Sequence, residues 1–452
     1  MRNITVKDII ENCGGKLISG SQNDILENFS KDTRTIQKEE IYIGIKGENF
    51  DGNKMWKDAL EKGAKGCIVQ GIEFTEEDIV KFQDKIIIKV EDSLEYLYKL
   101  AKYKRSLYEI PVIAITGSVG KTSTKDIIAS VVSRKYKTLK TEGNNNNNIG
   151  LPMTILKLKD HEAMVLEMGM NHLEEISLLS KIAKPTLAVI TNVGTSHIGN
   201  LGSRENILKA KLEILDGMEE KKIIINNDND LLHKWFLENK QIEILTYGIQ
   251  NKSDFTANNI ELRECESEFT YNEEKIKVPV GGIHFIYNSL SAIAVGNTLE
   301  ISIDQIKEGI EKFELTKKRM DITEKRGAMI INDSYNASFE SMKASLEYLA
   351  SVNKKRKIAV LGDMLELGEF SKNLHEKVGE EVVKNKIDVL ISCGENAENI
   401  VKIAEKNGVK TVYYLKNINE IADLLKSILT PDDAVLIKAS NGMKFYNIID
   451  MI

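Results

Sequence analysis

The sequence predicts an α/β protein of three domains: a small α/β module followed by two domains built on mostly parallel sheets. Three observations carry this. Apolar, β-branched runs such as VIAIT (112–116) and LAVITNV (187–193) alternate with helical segments, the pattern of parallel strands buried on both faces. The alternation stops near Thr316 to Arg319 and then resumes, which marks a second sheet. A charged helical stretch ending before Pro111 sets off a first region with shorter strands. The expected divisions are 1–107, 108–315 and 316–452.

In order along the chain, VKDIIENCGG (6–15) reads as a helix, EEIYIGIKG (39–47) as short strands, KMWKDALEKGA (54–64) as a helix and GCIVQG (66–71) as a strand. SLEYLYKLAKYKRSLY (93–108) is the charged helix before Pro111. The central strands are VIAIT, MVLEMG (164–169), LAVITNV and KIIIN (222–226). Beyond the second boundary come AMIIND (328–333), KIAVLG (357–362), DVLISCG (388–394), TVYYL (411–415) and AVLIKAS (434–440), five strand candidates for a doubly wound, Rossmann-like sheet.

Composition excludes several function classes. A 452-residue chain with 42% hydrophobic and 29% charged residues suits a globular protein of about three domains. A formal net charge of -6 gives no electrostatic reason to expect nucleic-acid binding. No apolar run approaches the roughly 18 residues of a membrane span. The N-terminal MRNITVKDIIENCGG has charges and no apolar core, so no signal peptide is expected. Cys13, Cys67, Cys265 and Cys393 are isolated, without metal-ligand spacing, and read as reduced thiols in a cytoplasm.

The most informative segment is VIAITGSVGKTSTKDIIASVV (112–132). A buried strand ends at Thr116, a glycine loop runs through Gly117, Ser118, Val119 and Gly120, and Lys121 and Thr122 open a helix. Backbone N–H groups at such a turn, with the helix N-terminus behind them, form a nest for phosphates. Lys121 is placed to reach the β/γ-phosphates and the Thr122 hydroxyl to ligate Mg²⁺. The strict GxxxxGK[ST] pattern fails, because Ile115 stands at its first glycine.

Weaker signals surround it. Glu167 lies just past a predicted strand end, where ligands bind in open α/β sheets; a solvated glutamate is the plain alternative. His197 lies in a polar loop after LAVITNV, and a lone loop histidine is by default polar surface. Lys211, on the helix RENILKAKLEIL, is by default solvated, and Arg319 is by default a surface cation in a lysine-rich run. TEGNNNNNIGLPMTIL (141–156) carries five consecutive asparagines between ordered segments. Asparagine tolerates left-handed backbone angles, and its amide both donates and accepts, so a short loop of this kind can present donors to an anion.

Taken together, these segments resemble the Mur ligase family, ATP-dependent enzymes that form amide bonds in peptidoglycan synthesis. The resemblance spans almost the whole chain. The family's shorter phosphate loop, TGSxGKT, fits Thr116 to Thr122 and accounts for the failed strict pattern. GNxNNxIGxP fits Gly143 to Pro152, and DSYNAS (333–338) and LGDMLELG (361–368) are similar to the subgroup that adds D-Ala-D-Ala.

The resemblance implies a UDP-binding first domain, a P-loop ATPase-like centre and a Rossmann-like third domain. It implies ATP and two Mg²⁺ ions, with Glu167 and His197 as ligands of the second ion and Lys211 carbamoylated by CO₂ to help hold it. Asn288 matches an adenine-side asparagine; Arg319 and Asp333 match third-domain residues that hold the nucleotide on closure. KDTR (31–34) and IKGENFDGN (45–53) resemble UDP-binding segments, which points to Asp32, Thr33, Arg34 and Gly47. Within the asparagine run the sequence cannot choose; we place the contact at Asn147 and Asn148. Departures from the family pattern are Thr33, Asn53, Phe285, Phe339 and Asn441, none of them a phosphate or metal group.

The expected reaction is ATP-dependent ligation of D-Ala-D-Ala to UDP-MurNAc-tripeptide through an acyl phosphate, by a cytoplasmic monomer. A sister ligase adding a single amino acid, and a P-loop ATPase without ligation, are the alternatives. The latter leaves the UDP-like segments unexplained.

Overall fold

The computed structural model describes residues 4–47, 49–316 and 318–452. Glu48, inside IKGENFDGN, and Lys317, inside the second boundary, lie outside the described residues.

The first sheet contains β1 (Lys16–Ser19), β2 (Asn28–Ser30), β3 (Glu40–Ile43), β4 (Gly66–Gln70) and β5 (Ile86–Val90), in the order β1-β5-β4-β3-β2. Only β1 runs antiparallel to its neighbour. The helix Ser93–Ser106 closes this unit, capped by Asp92, whose carboxylate accepts from the N–H groups of Leu94 and Glu95. It also ties the unit to the next one. Arg105 Nε donates to Ala183 O at 2.9 Å, and Tyr98 OH receives Asn148 Nδ2 at 3.1 Å.

The central sheet holds β6 (Val112–Thr116), β7 (Thr138–Lys140), β8 (Ala163–Glu167), β9 (Leu187–Ile190), β10 (Lys222–Asn226), β11 (Glu243–Gly248) and β12 (Phe255–Thr256). Its order is β12-β11-β10-β9-β6-β8-β7, parallel throughout. Every residue of β6, β8 and β9 is buried, as uninterrupted apolar runs require when helices cover both faces. The chain winds from β6 outward to β7 and β8, then crosses to β9 on the other side. The carboxyl end of β6 is therefore a topological switch point.

An antiparallel sheet of β13 (Asn258–Leu262), β14 (Ser267–Tyr271) and β15 (Glu274–Val278) follows, which the sequence reading did not anticipate. Its strands are largely polar outside, and its last turn places Asn272 and Glu273 at φ 46° and 69°. Left-handed angles at both central positions match a type I′ turn, built here without the usual glycine. The sheet touches the third domain through Glu264, next to the exposed Cys265. Its carbonyl accepts from Tyr348 OH and its carboxylate from the Asn353 N–H.

The third domain contains β16 (Asp321–Lys325), β17 (Ala328–Asn332), β18 (Arg356–Gly362), β19 (Val389–Cys393), β20 (Thr411–Tyr414) and β21 (Asp433–Lys438). The order is β16-β17-β21-β18-β19-β20, and only β16, absent from the sequence reading, is antiparallel. β21 returns from the far edge to lie between β17 and β18. Residues just past the carboxyl ends of β6 and β17, such as Lys121 and Asp333, line one cavity. No described helix is long and apolar enough to cross a membrane.

Candidate active site

The phosphate loop is shaped by the loop that follows β9. Ser118 N–H donates to Asn192 O at 3.0 Å and Val119 N–H to Asn192 Oδ1 at 3.0 Å. Thr191 Oγ1 and Asn192 Nδ2 return bonds to Val119 O at 2.7 and 3.0 Å. A Cβ at Gly117 would lie 1.9 Å from Thr191 Oγ1, so the packing admits only glycine. Gly120, at φ 79°, is the left-handed N-cap of the helix Lys121–Val132. Lys121 Nζ donates to Gly117 O at 2.7 Å and Ser118 O at 3.4 Å, which holds the cation over the loop. Burial pushes its pKa down, and the Glu167 carboxylate works against that shift.

Behind the loop lies a buried polar cluster. Thr122 Oγ1 donates to Glu167 Oε2 at 2.8 Å and accepts from Arg319 Nη2 at 2.8 Å. Glu167 is 2% exposed, its N–H bonded to Thr141 Oγ1 at 3.0 Å. Its other oxygen, Oε1, accepts from Asn146 Nδ2 at 2.7 Å. The asparagine run is thus an ordered loop with divided duties. Asn146 reaches the carboxylate, and Asn147 Oδ1 accepts from the N–H groups of Ile149 and Gly150 at the start of the helix Gly150–Ile155. Asn148 turns away to Tyr98. Of the two asparagines placed at the contact, Asn147 lines the cavity with its Oδ1 held at the helix start, and Asn148 does not line it.

The cavity at this cluster measures about 460 Å³. Of the sequence-selected residues, Ser118, Val119, Gly120, Lys121, Glu167, His197, Asn288, Arg319 and Asp333 line it. Two of these carry buried donors without a partner among the described residues, Asn288 Nδ2 and Arg319 Nε. Buried donors of this kind are normally satisfied, so they mark places where a ligand supplies acceptors. Asn288 Oδ1 is fixed by Thr124 Oγ1 at 3.0 Å, and the Arg319 guanidinium stacks 4.0 Å from the Tyr335 ring centroid. Asp333 Oδ2 accepts from Ser345 Oγ at 2.7 Å and lies 2.5 Å from Lys438 Nζ, so its charge is matched within the third domain.

Two further third-domain carboxylates reach the loop that carries His197. Glu340 accepts from Thr195 N–H at 2.8 Å and Thr195 Oγ1 at 3.0 Å. Glu366 Oε2 lies 2.5 Å from His197 Nδ1, and this contact holds the carboxyl below its usual range. Neither glutamate was singled out from sequence; only the LGDMLELG run around Glu366 gave a hint.

Lys211 lies outside the cavity lining and is 1% exposed. Burial, reinforced by the charge of Lys121, lowers its pKa well below the usual lysine value. Asp32, Thr33, Arg34 and Gly47 lie apart from this cavity in the first domain. There Arg34 grips Asp32 through Nε at 2.9 Å and Nη2 at 2.6 Å, Lys62 Nζ donates to Thr33 O at 3.2 Å, and Gly47 N–H closes a turn onto Phe50 O at 2.8 Å.

A phosphate loop at one switch point, faced by a second doubly wound domain whose arginine reaches the loop's own threonine, defines a nucleotide-binding enzyme with its cavity between two domains. Comparison with known proteins narrows this. Residues 115–296 match the Mur ligase middle domain, and 318–441 match the Mur ligase, glutamate ligase domain. The UDP-N-acetylmuramoyl-tripeptide–D-alanyl-D-alanine ligase of Bacillus subtilis (strain 168) is 36% identical over 98% of this chain and 97% of its own. A crystal structure of MurF from Acinetobacter baumannii superposes with a TM-score of 0.89 at 26% identity, covering 100% of this chain and 98% of that one. MurF ligase from Thermotoga maritima in complex with ADP superposes with a TM-score of 0.81 at 29% identity, covering 94% and 96%. The chain belongs to the Mur ligase family.

Proposed function

We propose that this chain joins D-alanyl-D-alanine to UDP-N-acetylmuramoyl-tripeptide with ATP, giving UDP-MurNAc-pentapeptide, ADP and phosphate. The observation that carries the reading is end-to-end similarity to ligases of that name, on a chain whose second and third domains together build the nucleotide cavity.

The tripeptide's terminal carboxylate attacks the γ-phosphate, the bond to the β-phosphate oxygen breaks, and ADP leaves. The dipeptide amine then attacks the acyl phosphate, loses a proton, and the tetrahedral adduct collapses with release of phosphate. No protein nucleophile is needed; the chain contributes positioning and charge stabilisation. In this reading Lys121 and the loop N–H groups hold the phosphates, Arg319 and Asp333 hold the nucleotide from the third domain, and Asn288 meets the adenine. Glu340 and Glu366 keep the third domain seated so that water is excluded from the acyl phosphate.

The oxygens of Thr122 and Glu167, 2.8 Å apart and buried, fit a hard divalent cation. They would hold Mg²⁺, with His197 on the same cavity; bound there, Mg²⁺ would neutralise charge on the phosphates. Lys211 fits the carbamate role. It is buried, 1% exposed, behind the phosphate loop's lysine. Burial lowers its pKa, which favours the uncharged amine, and such an amine would add to the carbon of CO₂ and release a proton, becoming an anion. Segments 31–34 and 45–53 of the first domain would receive the UDP end of the precursor, and the reaction would take place in the cytoplasm.

The test measures phosphate release from ATP with UDP-MurNAc-tripeptide, with and without D-Ala-D-Ala, and the product mass. Dipeptide-dependent release with a pentapeptide product is expected. Release indifferent to the dipeptide, or turnover only with a shorter precursor and one amino acid, would reject the reading.

A further inference from the structure

The segment joining the second and third domains is clamped to the phosphate-loop helix at two points one turn apart. Asp126, 2% exposed, accepts from the backbone N–H of Thr316 at 3.2 Å and from Thr316 Oγ1 at 2.8 Å. Thr122, four residues earlier on the same helix face, takes Arg319 Nη2. Thr316 therefore anchors the linker beside the body of the helix, and Arg319 reaches back to its first turn.

Past the anchor the chain belongs to the third domain. Lys318 Nζ stands 3.4 Å from the Tyr446 ring centroid, and Arg319 stacks on Tyr335. Lys318 and Met320, on either side of Arg319, hold φ values of 67° and 50°. Non-glycine residues adopt such angles at an energetic cost, and keep them only where their surroundings over-determine the chain.

Asp126 is itself well anchored. Its other oxygen lies 2.8 Å from buried Lys125 Nζ, which donates to Thr141 O at 3.0 Å. The hydroxyl of that same Thr141 holds the Glu167 N–H. One buried ion pair thus braces both the interdomain linker and the strand end that carries the buried carboxylate.

We infer that Asp126 is a positioning residue: by gripping Thr316 it fixes the linker register that delivers Arg319 to the phosphate loop. It touches no substrate itself. The inference rests on the reading of Arg319 as a nucleotide-handling residue, and the experiment separates the two.

Thr316→Val removes the hydroxyl bond but leaves the Lys125–Asp126 pair intact, and Thr316→Ser restores the hydroxyl. Ligation kcat, KM for ATP and the thermal midpoint would be measured for both, in the native and the Arg319→Ala backgrounds. Thr316→Val is expected to lower kcat about tenfold, as a displaced charge-stabilising group does. Thr316→Ser should stay near the native rate. In the Arg319→Ala background Thr316→Val should change kcat less than about twofold, because the group it positions is gone. An unchanged kcat, or the same loss in both backgrounds, overturns the proposal. If Arg319→Ala alone leaves turnover intact, the nucleotide reading of Arg319 fails and the proposal falls with it. Asp126→Asn, taken through the same cycle, decides the matter should Thr316→Val fail to fold.

Discussion

Replacing the asparagines of the 144–148 run one at a time should give three different phenotypes. Asn146→Ala removes the 2.7 Å bond to Glu167 Oε1, an acceptor that is 2% exposed. A hydrogen bond to a buried charged group is worth about 1.5–3 kcal/mol. At about 1.4 kcal/mol per decade this predicts a fall in kcat/KM of about 10- to 150-fold, with a weakened response to Mg²⁺. Asn147→Ala loses the side-chain bonds at the start of the helix Gly150–Ile155, so its main effect should be about 1 kcal/mol of stability. Asn148→Ala loses only its bond to Tyr98 and should be the mildest in turnover. Steady-state ligation at several Mg²⁺ concentrations, with a urea melt of each variant, separates the three. Native kcat/KM in Asn146→Ala, with the large loss in Asn147→Ala or Asn148→Ala instead, would refute the assignment of duties.

Gly117→Ala should weaken ATP binding by at least about fivefold, measured by calorimetry, because the new methyl would overlap Thr191 Oγ1 and cost about 1–3 kcal/mol. Glu340→Ala should raise ATP hydrolysis in the absence of dipeptide relative to ligation, since it removes two bonds that seat the third domain on Thr195. His375 offers a pH test. It is buried, its Nε2 accepts from Met364 N–H at 3.0 Å, its Nδ1 faces Ser371 O at 2.7 Å, and burial lowers its pKa. Folding thus favours the neutral ring. Its contribution is complete above the unfolded pKa of about 6.5 and is lost as pH falls from there through the folded value. Urea melts between pH 7.5 and 5.5 should show this slope, and His375→Gln should flatten it.

The parallel sheets were legible in the sequence because strands buried on both faces are nearly uninterrupted apolar runs, and VIAIT and LAVI are buried at every position. The phosphate loop was legible because the turn needs glycine at 117 and 120, whatever lies around it. Chemistry carried by contacts between distant segments was not. Nothing local to Glu340, or to Asp126 four residues past Thr122, distinguishes them from solvated carboxylates; their partners are 145 and 190 residues away. Five identical asparagines could not be told apart either, because the backbone path decides which amide faces Glu167. The sheet β13–β15 escaped because its exposed positions are mostly polar, with Asn258, Asn259 and Glu261 in one strand, and its last turn lacks glycine.

One consequence of the contact between Glu264 and the third domain is practical. Cys13, Cys67 and Cys393 are buried, with burial pushing each thiol pKa upward, whereas Cys265 is exposed beside that contact. A maleimide dye added to the unaltered chain should therefore attach first at Cys265, beside the contact between the β13–β15 sheet and the third domain. Its emission would test, without any engineered cysteine, whether that contact changes during turnover.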